Sequence, residues 1–117
     1  MSDLPDPATG MELGVTEVAA LAEAIAAGEI RLIDCREQDE WDFNRLPKAA
    51  FLPLSRFTEI AGSVLSKDDS VIVYCHHGMR SLHATQWLRA HGHEKCWSMK
   101  GGIQAWSESV DPSVPQY

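Results

Sequence analysis

The residues most capable of chemistry lie in one short run, Cys75-His76-His77-Gly78-Met79-Arg80-Ser81. A cysteine thiol becomes a good nucleophile only when it is ionised, and a nearby cation such as Arg80 favours the ionised form. Backbone N–H groups at a helix start act in the same direction. Gly78 can adopt a positive φ, which would turn the loop amides inward as an anion-binding nest, and Ser81 can add its hydroxyl. The run predicts a Cys75 thiolate held by loop amides and a guanidinium.

The segments around this run predict the elements that position it. Residues 70–74 are β-branched and aromatic, which is typical of a strand buried on both faces of a parallel sheet. Further short strands are predicted at 30–33, 49–54 and 95–99, and helical patterns at 16–27, 55–64, 80–91 and 103–107. Strands that alternate with helices at this spacing predict an α/β fold with a central parallel sheet covered by helices on both faces.

Chain length and charge limit the classes of function. The 117 residues fit a single domain, predicted over residues 11–117 after a flexible leader at residues 1–10. A net charge of −7 argues against broad binding to nucleic acid or to an anionic membrane. Neither a signal peptide nor an apolar run long enough to span a membrane is recognised, so a cytoplasmic location is expected.

The other two cysteines, Cys35 and Cys96, lack a glycine-bearing loop and a cation. An odd number of cysteines disfavours a disulfide framework and suits a reducing compartment. Both residues are interpreted as structural filling, with a resolving-thiol role as the alternative. The adjacent Cys75 and His76-His77 have no second ligand pair at zinc spacing, so no metal site is predicted.

Polar residues near the predicted strand ends have two possible roles. Asp34 and Arg36, at the end of the first long strand, are interpreted as a structural ion pair close to the site rather than as reacting groups. His76 and His77 either line the pocket and add positive charge at lower pH, or are solvated loop residues.

Three blocks of the sequence together resemble the rhodanese family. The run from Cys75 to Ser81 is similar to the C-x-x-G-x-R-S active-site loop of single-domain members. Residues 32–37, followed by Glu40-Trp41, resemble the first family signature, and residues 100–106 resemble the second. The resemblance implies a single rhodanese-like domain with a five-stranded parallel sheet.

The same resemblance implies a ping-pong sulfur transfer with no metal or organic cofactor. Cys75 would take a sulfane sulfur from a small anionic donor such as thiosulfate and pass it from a persulfide to a thiol, to cyanide or to a protein acceptor. In the family the matching loop residues, here 76–81, bind the donor and the persulfide. Four residues separate Cys75 from Arg80, whereas the related cell-cycle phosphatases have five. This spacing favours sulfur transfer.

One stretch of the chain departs from the family pattern, and its last residues resemble a particular group of rhodanese domains. The stretch Asn44 to Ala49 lacks the histidine and the glycine that usually flank the family's proline. The ending Val110 to Tyr117 is similar to rhodanese domains fused to enzymes that activate ubiquitin-like sulfur carriers. Two alternative functions stay open: a persulfide relay or regulatory protein-binding module, and a thiolate-dependent phosphatase or arsenate reductase.

Overall fold

The computed structural model describes residues 4–117 and builds them around one parallel sheet. The strands are β1 (Glu12–Leu13), β2 (Ile30–Asp34), β3 (Ala50–Phe51), β4 (Ser70–Tyr74) and β5 (Cys96–Met99), in the spatial order β1-β5-β4-β2-β3. Every pairing is parallel. The α/β class and the five-stranded sheet are confirmed, and β4 is its central strand.

Helices cover both faces of this sheet. They are α1 (Val15–Ala19), α2 (Ala22–Ala26), α3 (Gln38–Phe43), α4 (Phe57–Val64), α5 (Met79–Ala90) and α6 (Gly102–Ser109), with 3₁₀ turns at Pro7–Thr9 and Leu54–Arg56. Val18 and Ile103 pack on one face of the sheet, while Phe57 and Leu88 pack on the other. Burial of the β-branched strands between two apolar layers fixes the sheet, since apolar area removed from water drives folding.

The predicted helix over 16–27 is wrong in detail. It is two short helices with a bend at Leu21, whose φ of −98° and ψ of 11° leave the helical region while its side chain stays buried. Gly14, rather than Thr16, is the N-cap of α1, and its N–H donates to Glu17 Oε1 at 3.0 Å. The short edge strand β1 was not located by the sequence patterns, because two residues carry no periodicity.

Segment 4–10 makes specific contacts with the sheet. The Arg89 guanidinium donates to the carbonyls of Pro7 and Gly10, at 2.9 and 2.8 Å, and to that of Cys96 on β5. The flexibility predicted for residues 1–10 stays a prediction, and for residues 1–3 it lies outside the described residues. In the part of the chain that the structure covers, no helix has the length and apolar character needed to cross a bilayer.

Candidate active site

Cys75 follows β4 directly and begins the loop that leads into α5. The backbone N–H groups of Gly78 and Ser81 donate to Cys75 Sγ at 3.1 and 3.3 Å. Gly78 has φ 105°, as the sequence analysis expected of a residue that turns loop amides inward. A Cβ at this position would lie 3.0 Å from the Gly101 nitrogen, so both conformation and space require glycine. The loop therefore presents two N–H donors to the sulfur.

Helix α6 holds the other side of the loop. The N–H groups of Ile103 and Gln104 donate to the carbonyls of Cys75 and His76, at 2.9 and 3.1 Å. Gly102 lies so close to these carbonyls that a Cβ would collide with both. These two bonds hold the Cys75 and His76 carbonyls against α6 and so fix the start of the loop.

Two buried serines extend the cradle. Ser81 Oγ lies 3.4 Å from Cys75 Sγ and 2.7 Å from Ser98 Oγ. The Ser81 hydroxyl can donate to the Gly78 carbonyl, at 3.2 Å, or to the ionised sulfur, and the Ser98 hydroxyl can donate to Ser81 or, at 3.5 Å, to the same carbonyl. Ser98 was missed by the sequence analysis, although its place on the strand beside β4 is a signal for it.

Cys35 also lies in the site, although its sequence context predicted only a structural role. Both sulfurs are buried, and the Cys35 thiol donates a hydrogen bond to Cys75. This bond lowers the pKa of Cys75 to about 5 against the opposing effect of burial, and the Ser81 hydroxyl and the loop amides act in the same direction. The same contact raises the pKa of Cys35 well above its usual value, with burial adding to the effect. At neutral pH the pair is one thiolate beside one thiol.

The Arg80 guanidinium binds Glu40 and not the Cys75 sulfur, contrary to the expectation from the sequence. Its two terminal nitrogens form a bidentate ion pair with the Glu40 carboxylate, at 2.7 and 2.8 Å. Arg80 holds the pKa of Glu40 at about 2, against burial and with help from Tyr117. Glu40, which the sequence analysis quoted only as part of a family signature, thus compensates much of the charge expected to attract an anionic donor.

The two loop histidines and Met79 form the outer edge of the site. The His76 ring stacks on Tyr117, with 3.9 Å between ring centroids and 12° between planes, and also contacts His77. Burial and the His77 charge lower the pKa of His76, so this ring is neutral at neutral pH. His77 is exposed, and the Met79 side chain is 63% exposed. The neutral His76 provides no positive charge to the pocket near pH 7.

Asp34 and Arg36 form a buried ion pair at 2.7 Å, with neither side chain exposed. Arg36 also donates to the side-chain and main-chain oxygens of Asn44 and to Tyr117 Oη. Its guanidinium therefore joins β2 to the segment that departs from the family pattern and to residues near 117. In that segment Lys48 has φ 66°, a conformation that glycine adopts more readily.

Among residues 4–117, no group of three or more histidine, cysteine, aspartate or glutamate side chains is arranged to hold a metal ion. The arrangement in place is a thiolate with N–H donors, which can hold an anionic sulfur species.

Comparison with known proteins identifies the family of the domain. The rhodanese-like domain model matches residues 17–109. Over 100 residues the chain is 35% identical to the rhodanese-like/PpiC domain-containing protein 12 of Arabidopsis thaliana, covering 83% of this chain but only 33% of that protein. Over 84 residues it is 29% identical to the thiosulfate sulfurtransferase GlpE of Coxiella burnetii, covering 72% of this chain and 78% of that one.

A solved structure of a rhodanese-related protein has the same fold over most of this chain. The rhodanese-related protein of Thermoplasma volcanium superposes with a TM-score of 0.75 and 28% identity, over 92% of this chain and all of that one. The residues matched by the family model include the Cys75 loop and strands β2 to β5. The chain belongs to the family of rhodanese-like domain proteins.

Proposed function

We propose that this protein is a sulfurtransferase that carries sulfur as a persulfide on Cys75. The donor is a small sulfane compound such as thiosulfate, and the acceptor is a thiol, cyanide or a protein. The observation that carries the proposal is the Cys75 sulfur itself, whose pKa of about 5 leaves it ionised at neutral pH while Gly78 and Ser81 donate to it.

The first half-reaction is a displacement at sulfur. The Cys75 thiolate attacks the outer sulfur of thiosulfate, a Cys75–sulfur bond forms, the sulfur–sulfur bond of the donor breaks, and sulfite leaves with the bonding electron pair. The products are a persulfide anion and sulfite, so charge and atoms balance. The two N–H donors that hold the thiolate suit the persulfide anion equally, because they recognise negative charge and not its source.

The second half-reaction regenerates the thiolate. An acceptor nucleophile attacks the outer sulfur of the persulfide, and Cys75 leaves as a thiolate. A low pKa makes Cys75 a good leaving group as well as an ionised nucleophile. Both half-reactions thus use the same property of one residue.

Mass measurement after incubation with thiosulfate tests the proposal. We expect the intact chain to gain one sulfur atom, cyanide to remove it, and Cys75→Ser to abolish the gain. Cys96→Ser is the matched control, since Cys96 is another buried cysteine, and it should gain sulfur like the parent chain. Absence of the added sulfur with thiosulfate and with a low-molecular-weight persulfide would contradict the proposal.

A relay between proteins is a second candidate, favoured by the bidentate Arg80–Glu40 pair. A guanidinium occupied by a carboxylate attracts a dianion such as thiosulfate weakly, whereas a protein persulfide docks through its surface and needs no such charge. On this reading Glu40→Gln lowers the KM for thiosulfate and leaves loading from a protein persulfide unchanged. An unchanged or higher KM for thiosulfate in Glu40→Gln would instead indicate that the Arg80–Glu40 pair is part of a thiosulfate site.

A further inference from the structure

Cys35 and Cys75 occupy equivalent positions at the ends of two paired strands. The last registered pair between β2 and β4 is Asp34 with Tyr74, and each cysteine follows by one residue. The Cys35 N–H donates to the Tyr74 carbonyl at 3.0 Å, so the hydrogen-bonded ladder continues to this point. Neighbouring strands lie roughly 4.8 Å apart. This spacing falls inside the roughly 4.4–6.8 Å that separates the Cα atoms of a disulfide.

The two side chains also share one face of the sheet. Both belong to the apolar cluster beneath α4 and α5, whereas Tyr74 packs in the cluster on the opposite face. Each thiol is the first cause of the other's pKa shift, as expected of two neighbouring sulfurs on one face of paired strands. No other cysteine meets these conditions. Cys96 pairs with Val71, four residues before Cys75 on β4, and its thiol donates to the His93 carbonyl at 3.1 Å.

We propose that Cys35 is a resolving thiol that converts the Cys75 persulfide into a Cys35–Cys75 disulfide and releases hydrosulfide. This inference rests on the proposed persulfide chemistry. It adds a second outcome for the bound sulfur, in which the sulfur leaves as sulfide without an external sulfur acceptor.

The step is an internal thiol–disulfide exchange. Cys35 attacks Cys75 Sγ, a bond forms between the two cysteine sulfurs, and the bond to the outer sulfur breaks. The outer sulfur leaves with the bonding electrons and takes up the proton that Cys35 gives up, so a persulfide anion and a thiol become a disulfide and HS⁻. The Cys35 sulfur is oxidised and the outer sulfur is reduced, and no other oxidant is needed. An external dithiol then restores the two cysteines.

Proximity and protonation set the rate of this step. The contact makes the attack intramolecular, which favours it over attack by a dissolved thiol. The raised pKa of Cys35 opposes it, because the thiol form is a poor nucleophile. Much of that rise comes from the Cys75 thiolate itself, and it weakens once the negative charge has moved to the outer sulfur. Cys35 is therefore a weak nucleophile beside the unloaded Cys75 thiolate and a better one once the persulfide has formed.

The test follows sulfur and mass together in the full chain. The reduced protein is given thiosulfate, freed of donor, and sampled over time for released sulfide and for intact mass without reductant. We expect one equivalent of sulfide per loaded chain and a product lighter than the reduced chain by two hydrogen atoms. Peptide mapping of the unsubstituted protein should show the link between Cys35 and Cys75, so this readout does not depend on the folding of any variant.

Cys35→Ser retains a donor beside Cys75 but cannot form the link, and Cys96→Ser is its matched control. In Cys35→Ser the persulfide should last on the order of tenfold longer, with no sulfide released. Cys96→Ser should behave like the parent chain. Sulfur uptake by all chains with equal persulfide lifetimes, or a disulfide elsewhere, overturns the inference and leaves the proposed function standing. Failure of every chain to take up sulfur overturns both.

Discussion

The ends of β2 and β4 place two cysteines side by side, yet only one becomes a thiolate. Cys35 and Cys75 are equally buried and lie on the same face of the same sheet. After Cys35 the chain continues into Arg36, whose N–H and side chain both turn back to bind Asp34. After Cys75 it turns through Gly78 and aims two N–H groups at the sulfur. The comparison teaches that the following loop, rather than burial, determines which thiol ionises.

The largest effect is expected on stability, when the buried ion pair at the end of β2 is broken. Asp34→Asn leaves the Arg36 guanidinium buried without its charged partner, which costs about 3–5 kcal/mol in the free energy of unfolding. Urea unfolding of the variant and the parent chain measures it. Glu59→Gln, which breaks an exposed ion pair with Arg56, is the control and should change stability by less than about 1 kcal/mol. An equally small loss of unfolding free energy in Asp34→Asn would contradict a structural role for the Asp34–Arg36 ion pair.

At the β4 end the next largest effect concerns chemistry. Gly78→Ala forces a side chain into a left-handed conformation beside Gly101 and displaces the loop amides. We expect sulfur uptake from thiosulfate to slow about a hundredfold, which is typical when a donor to a developing anion is lost. Gly28→Ala carries a similar φ of 81° in open space and should lose stability without losing rate. Rapid uptake by Gly78→Ala in stopped-flow measurements would show that the amides are dispensable.

A pH profile measures what Cys35 contributes to its neighbour. Uptake of sulfur by the parent chain should be level above about pH 6 and fall about tenfold per unit below the Cys75 pKa of about 5, because only the thiolate reacts. Cys35→Ala removes a donor to the thiolate, which raises the Cys75 pKa and moves this break upward by about one unit. Cys35→Ser retains a donor and should keep the break near that of the parent. An unmoved break in Cys35→Ala would assign the low pKa to the loop alone.

The smallest effect is expected at the third cysteine. Burial raises the pKa of Cys96, and its thiol donates to main-chain carbonyls at the other end of the sheet. Cys96→Ser should therefore leave the rate and pH profile of sulfur uptake unchanged. A change in the rate or in the pH profile of this variant would show that Cys96 also influences the reactivity of Cys75.

Local patterns were sufficient to predict the central strand and the Cys75 loop. A run of β-branched residues identifies a buried strand, and a glycine between cysteine and arginine identifies a loop that turns. The contact between Cys35 and Cys75 needed more, since it depends on β2 and β4 being neighbours in the sheet. Chain order does not give that adjacency, because β3 lies between them in sequence.

Long-range polar contacts were also beyond local patterns. The Tyr117 hydroxyl donates to Glu40 at 2.6 Å across 77 positions of sequence, and Glu40 in turn binds Arg80. Hydrophobic periodicity carries no information about such pairs. The loop pattern predicts that the Arg80 guanidinium is available for an anion, whereas in the structure a carboxylate already holds it.

The burial of Cys75 affects which molecules can reach its sulfur before and after a second sulfur is bound. The residue is only 1% exposed, so the unloaded protein hides this thiolate from bulky molecules. A bound sulfur lengthens the side chain by one bond of about 2 Å. The atom that an acceptor must touch then lies farther from the strand than the thiolate that collected it. In the proposed reaction, a small donor would therefore have to reach deeper into the loop than a large acceptor.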